Sequence, residues 1–226
     1  MKELFKNAGI FITEEQQKKF EKYYEILVSY NQKVNVTALK EKEEIYVKHF
    51  VDSVVNVDKL IGKTLIDVGS GGGFPGIPIK ILRDDIEVTL LEATGKKCDF
   101  LNIVIKELNL KNIKVINARA EDLSKKEEYR EKFEICTARA VARLNSLSEY
   151  VLPFTSVGGY FIAYKTGEKE EIEQAQNAIK TLGGKLETVL EYEIYGNKRS
   201  MIFIKKIKNT DKKFPRGNGK ERKNPL

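Results

Sequence analysis

Residues 67–76 read DVGSGGGFPG, and this glycine-rich segment indicates the architecture of most of the chain. The segment follows an apolar, β-rich run, TLIDVG, and leads into a stretch around Ile77–Arg83 that is expected to be helical. Proline suits the first turn of such a helix, and Pro78 stands there. Glycine lets a loop backbone approach a ligand closely and adopt positive φ angles. Because open α/β sheets bind ligands at the carboxyl ends of their strands, this loop is the first candidate binding site.

The rest of the chain beyond Lys63 repeats the alternation of strand and helix. The predicted strands are TLIDVG, EVTLLEA, IKVINA, FEICTA and YFIAYK, and the predicted helices lie around residues 77–83, 96–108, 144–152 and 168–182. This order predicts a doubly wound parallel sheet covered on both faces. KLETVLEYEI and SMIFIKKI, joined by a turn at Gly196-Asn197, predict an antiparallel hairpin at the sheet edge. A mostly parallel sheet with such a terminal hairpin is typical of class I methyltransferases.

The first 62 residues are expected to form a helical cap. Thr13-Glu-Glu-Gln16 has the capping-box pattern, and apolar side chains follow it at helical spacing. A second amphipathic stretch runs from about Glu41 to Leu60. We therefore divide the chain into a cap (1–62), an α/β domain of methyltransferase type (63–207) and a C-terminal tail (208–226).

The net charge of +7 is concentrated in that tail. Residues 1–62 are balanced, residues 63–207 carry +2 and residues 208–226 carry +5. Because the tail is poor in apolar residues and contains Pro and Gly, we expect it to be disordered. A basic arm for nucleic acid and a solubilising terminus are both consistent with its charge.

The composition argues against several classes of function. Two cysteines, Cys98 and Cys136, cannot form a disulfide framework, and no Cys/His cluster suggests a metal. A single histidine, His49, argues against a His-ligated metal site and a Ser-His-Asp hydrolase. No segment has the length and apolarity of a signal peptide or a membrane span. We therefore expect a cytoplasmic protein that holds no metal and does not bind a membrane. We also expect a monomer, although nothing in the sequence fixes the oligomeric state.

Two ligand classes fit the glycine loop. Residues 71–76 satisfy GxGxxG, a dinucleotide pattern, and residues 67–73 satisfy DxGxGxG, the S-adenosylmethionine pattern. The early glycines and the internal proline favour the second, and a purely structural turn is the remaining alternative. Glu92, after the second strand, can accept both ribose hydroxyls, and Glu121, after the third, can accept from an adenine amino group. Three elements at the ends of three strands are more specific than any one of them.

Several segments resemble a known family. The resemblance is carried by DVGSGGGFPGIPI, LLEATGKKCDFL, ARAEDL, TARAVARL, YNQKVNVTA, KHFVDS and the closing PR…K…NPL. Together these resemble the glucose-inhibited division protein B family, also called RsmG, over nearly the whole chain. The resemblance implies an S-adenosylmethionine-dependent methyltransferase that acts on N7 of a guanine in 16S ribosomal RNA, either as naked RNA or in the small ribosomal subunit.

The resemblance also implies site residues. It places the cofactor positions on Gly69, Phe74, Ala120, Glu121 and Arg139, and the positions at the strand ends add Gly71, Gly73 and Glu92. We expect His49, Lys165 and Arg216 to contact RNA. The sequence departs from the family at Lys96-Lys97 and at residues 217–219. These departures affect the expected contacts between the tail and RNA and leave the expectation for the cofactor loop unchanged. We expect the tail to leave cofactor affinity nearly unchanged.

The chemistry of guanine N7 suits these residues. N7 has an in-plane lone pair and no proton to lose, so its methylation needs no general base. Catalysis then depends on alignment and electrostatics. Arg139, which ends the fourth strand, can donate to guanine O6 or hold the methionine carboxylate, and we expect it to be catalytic. The alternative for Arg139 is an exposed salt-bridge arginine, and for Cys136 we expect a buried core thiol.

Two other functions stay open from the sequence. One is a non-catalytic RNA-binding or assembly module with a vestigial cofactor site, against which the intact glycines, Glu92 and Glu121 count. The other is a nicotinamide oxidoreductase. Binding of S-adenosylmethionine would discriminate the first, and thermal shifts with NADH and with S-adenosylhomocysteine would discriminate the second.

Overall fold

The computed structural model of the chain describes residues 1–166 and 169–226. Its strands are β1 (Thr64–Val68), β2 (Glu87–Glu92), β3 (Ile113–Asn117), β4 (Phe133–Arg139), β5 (Thr155–Lys165), β6 (Gly184–Ile194) and β7 (Asn197–Lys206). They form one sheet in the order β3-β2-β1-β4-β5-β7-β6. β1 to β5 are parallel, and β7 runs antiparallel to both β5 and β6. The predicted fold class, a doubly wound sheet with a terminal hairpin, is confirmed.

The turn of the hairpin lies one residue earlier than predicted. Ile194 pairs with Asn197, which leaves Tyr195 and Gly196 as the two loop residues. Their φ angles are 48° and 76°. Positive φ at both central residues is the geometry that matches the right-handed twist of paired strands, so the register follows the two-residue loop.

The helices of the described residues agree with the predicted alternation. They are α1 (Lys2–Asn7), α2 (Glu14–Asn31), α3 (Lys42–Ile45), α4 (Asp52–Val54), α5 (Gly76–Leu82), α6 (Gly95–Glu107), α7 (Ala120–Leu123), α8 (Leu144–Val151), α9 (Lys169–Thr181) and α10 (Lys220–Lys223). A π-helical turn (Tyr46–Val51) joins α3 to α4. Glu168, the first residue of the predicted fourth helix, lies outside the described residues. No helix in the described ranges is long and apolar enough to cross a membrane.

Helix α2 of the cap begins with the predicted capping box. Thr13 Oγ1 accepts the Gln16 N–H at 3.2 Å, and Gln16 Oε1 accepts the Thr13 N–H at 2.9 Å. The second stretch of the cap is not a single α-helix, because the π-helical turn interrupts it. Such turns are frequent at functional sites, since the wider ring changes the direction of the side chains that it carries.

The cap and the α/β domain share one hydrophobic core. The Tyr23 ring of α2 lies 5.1 Å from the Phe50 ring and 5.5 Å from the Phe74 ring of the glycine loop. Along β1 the side chains alternate, so that Leu65 packs on this cap side and Ile66 packs on the other side with α8 and α9. The boundary at residue 62 is therefore a change of architecture inside one packed body.

The C-terminal segment requires a correction. Residues 208–226 are expected to be disordered, but they pack against the α/β domain, and Phe214 is buried in the cluster with α8 and α9. Arg130 Nη2 donates to the Thr210 carbonyl at 2.8 Å, and Arg130 Nη1 donates to the Phe214 carbonyl at 3.0 Å. Polar partners supplied by distant parts of the chain order the segment despite its low apolar content, and its own composition does not show them.

Candidate active site

Asp67 anchors the glycine loop between β1 and α5 through hydrogen bonds. This carboxylate is fully buried; Oδ1 accepts from Thr137 Oγ1 at 2.9 Å and Oδ2 accepts from the Gly76 N–H at 3.1 Å. Burial raises the pKa of Asp67 to about 6. The acidic residue of the DxGxGxG pattern therefore ties β1 to β4 and to the first residue of α5.

Gly71 and Gly73 are glycines for different reasons. A Cβ at Gly73, where φ is 87°, would lie 2.5 Å from Tyr23 Oη and 2.6 Å from Ile77 Cδ1. A Cβ at Gly71, where φ is 56°, would meet nothing nearer than the Gly69 carbonyl oxygen at 3.9 Å. Packing inside the protein thus requires glycine at 73, whereas open space lies beside the backbone of Gly71.

A cavity of about 240 Å³ lies at the carboxyl ends of β1, β2 and β3. We call it the first cavity. Three of the predicted cofactor residues, Gly69, Ala120 and Glu121, line it, and the rest of its wall is formed by Val68, Leu91, Ala93, Ala118, Arg119, Val141, Tyr150, Gly219 and Arg222. Its walls are mostly apolar, with a carboxylate and cations among them. This combination suits a flat heteroaromatic ring that carries polar edges.

Glu92 connects the loop to the next helix. Its Oε2 accepts the Gly71 N–H at 2.9 Å, and its Oε1 accepts the Thr94 N–H at 2.8 Å. The side chain is largely buried, with 7% of its residue surface exposed. An ionised carboxylate has further acceptor capacity on both oxygens, so the ribose-binding role stays a prediction.

A second cavity, of about 510 Å³, lies at the ends of β4 and β5. Arg139, His49 and Lys165, three residues that the sequence analysis selects, line it together. Thr37, Ala38, Leu39, Lys48, Asp52, Ala140, Tyr164, Thr166, Tyr192 and Arg199 form the rest of its wall. Asp52 is the main functional candidate that the sequence analysis misses, although it lies in the quoted segment KHFVDS.

Arg139 is held by the π-helical turn and the residue after it. Nη1 pairs with Asp52 Oδ2 at 3.0 Å and donates to the Lys48 carbonyl at 3.2 Å, and Nη2 lies 3.4 Å from His49 Nδ1. The guanidinium carbon is 5.3 Å from the centroid of the Phe74 ring. Only 14% of the side chain is exposed. Arg139 is thus a cation held in a fixed position at the cavity wall. Its burial excludes the alternative interpretation, in which Arg139 is an exposed arginine of a surface salt bridge.

His49 is a neutral packing partner in this arrangement. Its ring stacks on Phe74 with centroids 4.4 Å apart, and its Nε2 lies 2.7 Å from Thr37 Oγ1. Burial, with Arg139 nearby, lowers the pKa of His49 to about 3. Because arginine can only donate, Nδ1 acts as the acceptor and Nε2 carries the proton.

Consecutive residues at the end of β4 line the two cavities. Arg139 lines the second cavity and Val141 lines the first. Between them Ala140 has a φ of 57°, a left-handed conformation that is uncommon for a residue with a Cβ. This turn of the backbone directs neighbouring side chains into different cavities.

Lys165 and Arg216, the other two residues expected to contact RNA, form hydrogen bonds and ion pairs within the protein. Lys165 Nζ donates to the Ala142 carbonyl at 2.9 Å and pairs with Glu171 at 2.6 Å. Arg216 does not reach either cavity wall; its Nη2 pairs with the buried Glu149 at 2.7 Å. The expected RNA contacts of both residues stay predictions. Cys136 is a core thiol as predicted, and burial raises its pKa to about 12.

The strand order, in which only β7 runs antiparallel to the other strands, is that of the class I methyltransferase fold, and the glycine loop after β1 and the cavities at the strand ends lie where this fold binds its ligands. A SAM-dependent methyltransferase from Aquifex aeolicus superimposes with a TM-score of 0.55 at 15% identity, over 75% of this chain and 96% of that chain. M. jannaschii TYW2, solved in complex with AdoMet, gives a TM-score of 0.55 at 17% identity, over 69% and 77%. These likenesses concern the fold.

Sequence comparison identifies the family within this class. The family model described as rRNA small subunit methyltransferase G matches residues 16–202. The ribosomal RNA small subunit methyltransferase G of Clostridium perfringens (strain 13 / Type A) is 46% identical over an alignment of 232 residues that covers 100% of this chain and 97% of that protein. The protein of the same name from Acetivibrio thermocellus is 47% identical over 222 residues, 96% and 92% respectively. The chain belongs to the rRNA small subunit methyltransferase G family, as the resemblance predicts.

Proposed function

We propose that this chain transfers a methyl group from S-adenosylmethionine to N7 of a guanine in 16S ribosomal RNA. Membership of the family supports a methyltransferase that acts on small-subunit ribosomal RNA. The observation that carries the finer proposal is that three consecutive residues, Arg139, Ala140 and Val141, between them line both cavities. A donor in one cavity and a base in the other would then approach each other at the end of β4, beside a fixed guanidinium.

The residues of the first cavity fit the adenosyl end of that cofactor. The apolar walls with the Glu121 carboxylate suit an adenine ring. Gly71 and Glu92 do not line this cavity, but open space beside the Gly71 backbone leaves room for close approach of a ligand. We propose that Gly69, Gly71, Glu92, Ala120 and Glu121 hold the cofactor. When bound, S-adenosylmethionine supplies an electrophilic methyl group on a sulfonium sulfur. Gly73 acts indirectly, because it lets Tyr23 and Ile77 pack beneath the loop.

Arg139 would orient the base. Its planar guanidinium can donate to guanine O6, which lies beside N7 on the same edge of the ring. Asp52 and the Lys48 carbonyl fix Nη1, so little side-chain freedom remains to be lost when the base binds. Phe74 supports the guanidinium and the His49 ring from one side.

No residue of the second cavity has to remove a proton. N7 has none to lose, and His49, with a pKa of about 3, is a weak base. The described residues also contain no group of three or more His, Cys, Asp or Glu side chains that could hold a metal ion. Positioning by Arg139 and by the loop is therefore the main contribution that these side chains can make.

Transfer of labelled methyl groups tests the proposal directly. The full chain is incubated with labelled S-adenosylmethionine and either naked unmodified 16S ribosomal RNA or small subunits that contain it, and the modified nucleotide is identified by mass spectrometry. We expect label on N7 of a guanine. Label on another atom, or binding of cofactor and RNA without transfer, contradicts the proposal, and the second outcome favours the assembly-module alternative. We further propose that the protein acts as a cytoplasmic monomer. Sedimentation of the active species measures its mass and so tests whether it is a monomer.

A further inference from the structure

The last part of the chain, Phe214–Leu226, forms a segment that we call the C-terminal strap. It is anchored at its start, where Phe214 is buried, and at Arg216, whose Nε and Nη2 donate to the Glu149 carboxylate of α8 at 3.0 and 2.7 Å. The Gly217 N–H donates to the buried carboxylate of Glu221. A paired arginine and a buried internal hydrogen bond fix the path of the strap over the surface of the domain.

The inner side of the strap forms part of the first cavity. Gly219 and Arg222 line this cavity together with Ala120 and Glu121. The guanidinium carbon of Arg222 lies 5.9 Å from the centroid of the Tyr150 ring, and its Nη2 is 3.5 Å from the Val141 carbonyl oxygen. The cavity therefore combines a cation from the strap with a carboxylate from α7.

We propose that the C-terminal strap is a component of the cofactor site and that Arg222 contacts the adenosyl group. This inference rests on the proposed function. Adenine has an amino group that donates and ring nitrogens that accept, so Glu121 and Arg222 supply complementary partners in one cavity. A guanidinium also binds favourably over the face of an aromatic ring. The strap thus extends the site beyond the three strand ends on which the glycine loop, Glu92 and Glu121 lie.

A C-terminal strap in the cofactor site and an arm that serves only RNA differ in their effect on cofactor affinity. An arm that serves only RNA would leave cofactor affinity unchanged when it is altered. A strap that forms a cavity wall makes cofactor affinity depend on Arg222 and on the anchors that hold the strap in place.

Calorimetric titration of the full chain with S-adenosylhomocysteine tests this. We expect Arg222→Ala to weaken binding about tenfold, the scale of one cation–π contact. The matched control is Lys223→Ala, which removes the next cation of α10, exposed and outside the cavity wall, and we expect its affinity to stay within twofold of the wild type. Methylthioadenosine, which lacks the amino-acid part, should lose the same factor with Arg222→Ala. A loss for S-adenosylhomocysteine alone would place Arg222 at the other end of the ligand and overturn the assignment.

Protection from trypsin gives an independent readout on the wild-type chain. The strap offers cleavage sites after Lys220, Arg222 and Lys223, which are exposed. We expect saturating S-adenosylhomocysteine to slow cleavage at these sites by severalfold, because the bound ligand stabilises the strap in its packed position. Unchanged cleavage, or an Arg222→Ala chain that binds as tightly as the wild type, overturns the role of the strap. Failure of the wild-type chain to bind S-adenosylhomocysteine would instead refute the proposed function.

Discussion

Arg139 combines the features expected of a residue that orients a substrate: it is mostly buried, it is fixed by Asp52 and by a backbone carbonyl, and it lines a cavity. We expect Arg139→Ala to lower the rate of methyl transfer by about a hundredfold or more, because loosely held guanine loses the in-line geometry. Arg139→Lys should be nearly as slow, since an ammonium cannot reproduce the planar fork. Single-turnover rates at saturating cofactor measure both. Near-normal transfer by the alanine variant would show that another group holds the base.

His49 should make the protein sensitive to acid. In the unfolded chain the ring takes up a proton as the pH falls below about 6.5, whereas the folded chain resists protonation down to a pKa of about 3. The contribution of His49 to stability is therefore lost as the pH falls through this window, by about 2 kcal/mol between pH 7 and pH 5. Asp67 changes stability in the opposite direction. Because its pKa is raised to about 6, the folded state takes up this proton at a higher pH than the unfolded state does, and the fold gains stability as the pH falls through that range.

The comparison of two chains isolates the histidine. Urea unfolding at pH 7 and pH 5 is measured for the wild type and for His49→Gln, which has no titrating ring, and the contribution of Asp67 is common to both. We expect the wild type to lose about 2 kcal/mol more than the variant on this change of pH. Equal losses in the two chains would show that His49 titrates normally in the fold.

The glycine loop is an element whose similar residues have unlike roles. We expect Gly73→Ala to destabilise the fold by several kcal/mol, because the methyl group meets Tyr23 and Ile77 and the backbone stays in the left-handed region. Gly71→Ala carries the backbone strain of about 1–2 kcal/mol but no collision within the protein. It should fold and bind S-adenosylhomocysteine weakly. Chemical unfolding and calorimetry separate the two effects, and equal stability of both variants would be inconsistent with this assignment.

The π-helical turn is the second element that shapes the site. It carries Lys48 and His49 and ends next to Asp52, so one short segment of the cap supplies three of the contacts to Arg139. A regular α-helix would rotate successive side chains differently, by about 100° per residue. The cap therefore forms part of the wall of the second cavity in addition to covering the sheet.

For the whole molecule, the shared core predicts cooperative unfolding of cap and domain. Phe20 of the cap is buried and lies 5.3 Å from Phe50, which in turn contacts Phe74 of the loop. We expect calorimetry to show one unfolding transition. Phe20→Ala should lower the temperature of this transition, because it reduces the free energy of unfolding by about 3–5 kcal/mol. S-adenosylhomocysteine should raise the same single transition. Two resolved transitions, of which Phe20→Ala shifts only one, would show that the cap unfolds on its own.

Local patterns determined most of the architecture in advance. The alternation of short apolar strands with helices, the glycines after β1, the capping box at Thr13 and the terminal hairpin each depend on neighbouring residues, so they are visible in the sequence. The same holds for Gly69, Ala120 and Glu121, because the ends of parallel strands and the loops that follow them lie on one edge of the sheet.

Only the tertiary structure decided which distant residues meet. Asp52 pairs with Arg139, Arg222 completes the cavity of Glu121, and Tyr23 explains the glycine at position 73. Each contact joins residues that are far apart in the chain, and no periodicity or turn signal encodes such a pairing. It follows from how the cap and the strap pack on the sheet, since packing depends on the shapes of whole elements and not on the preferences of single residues.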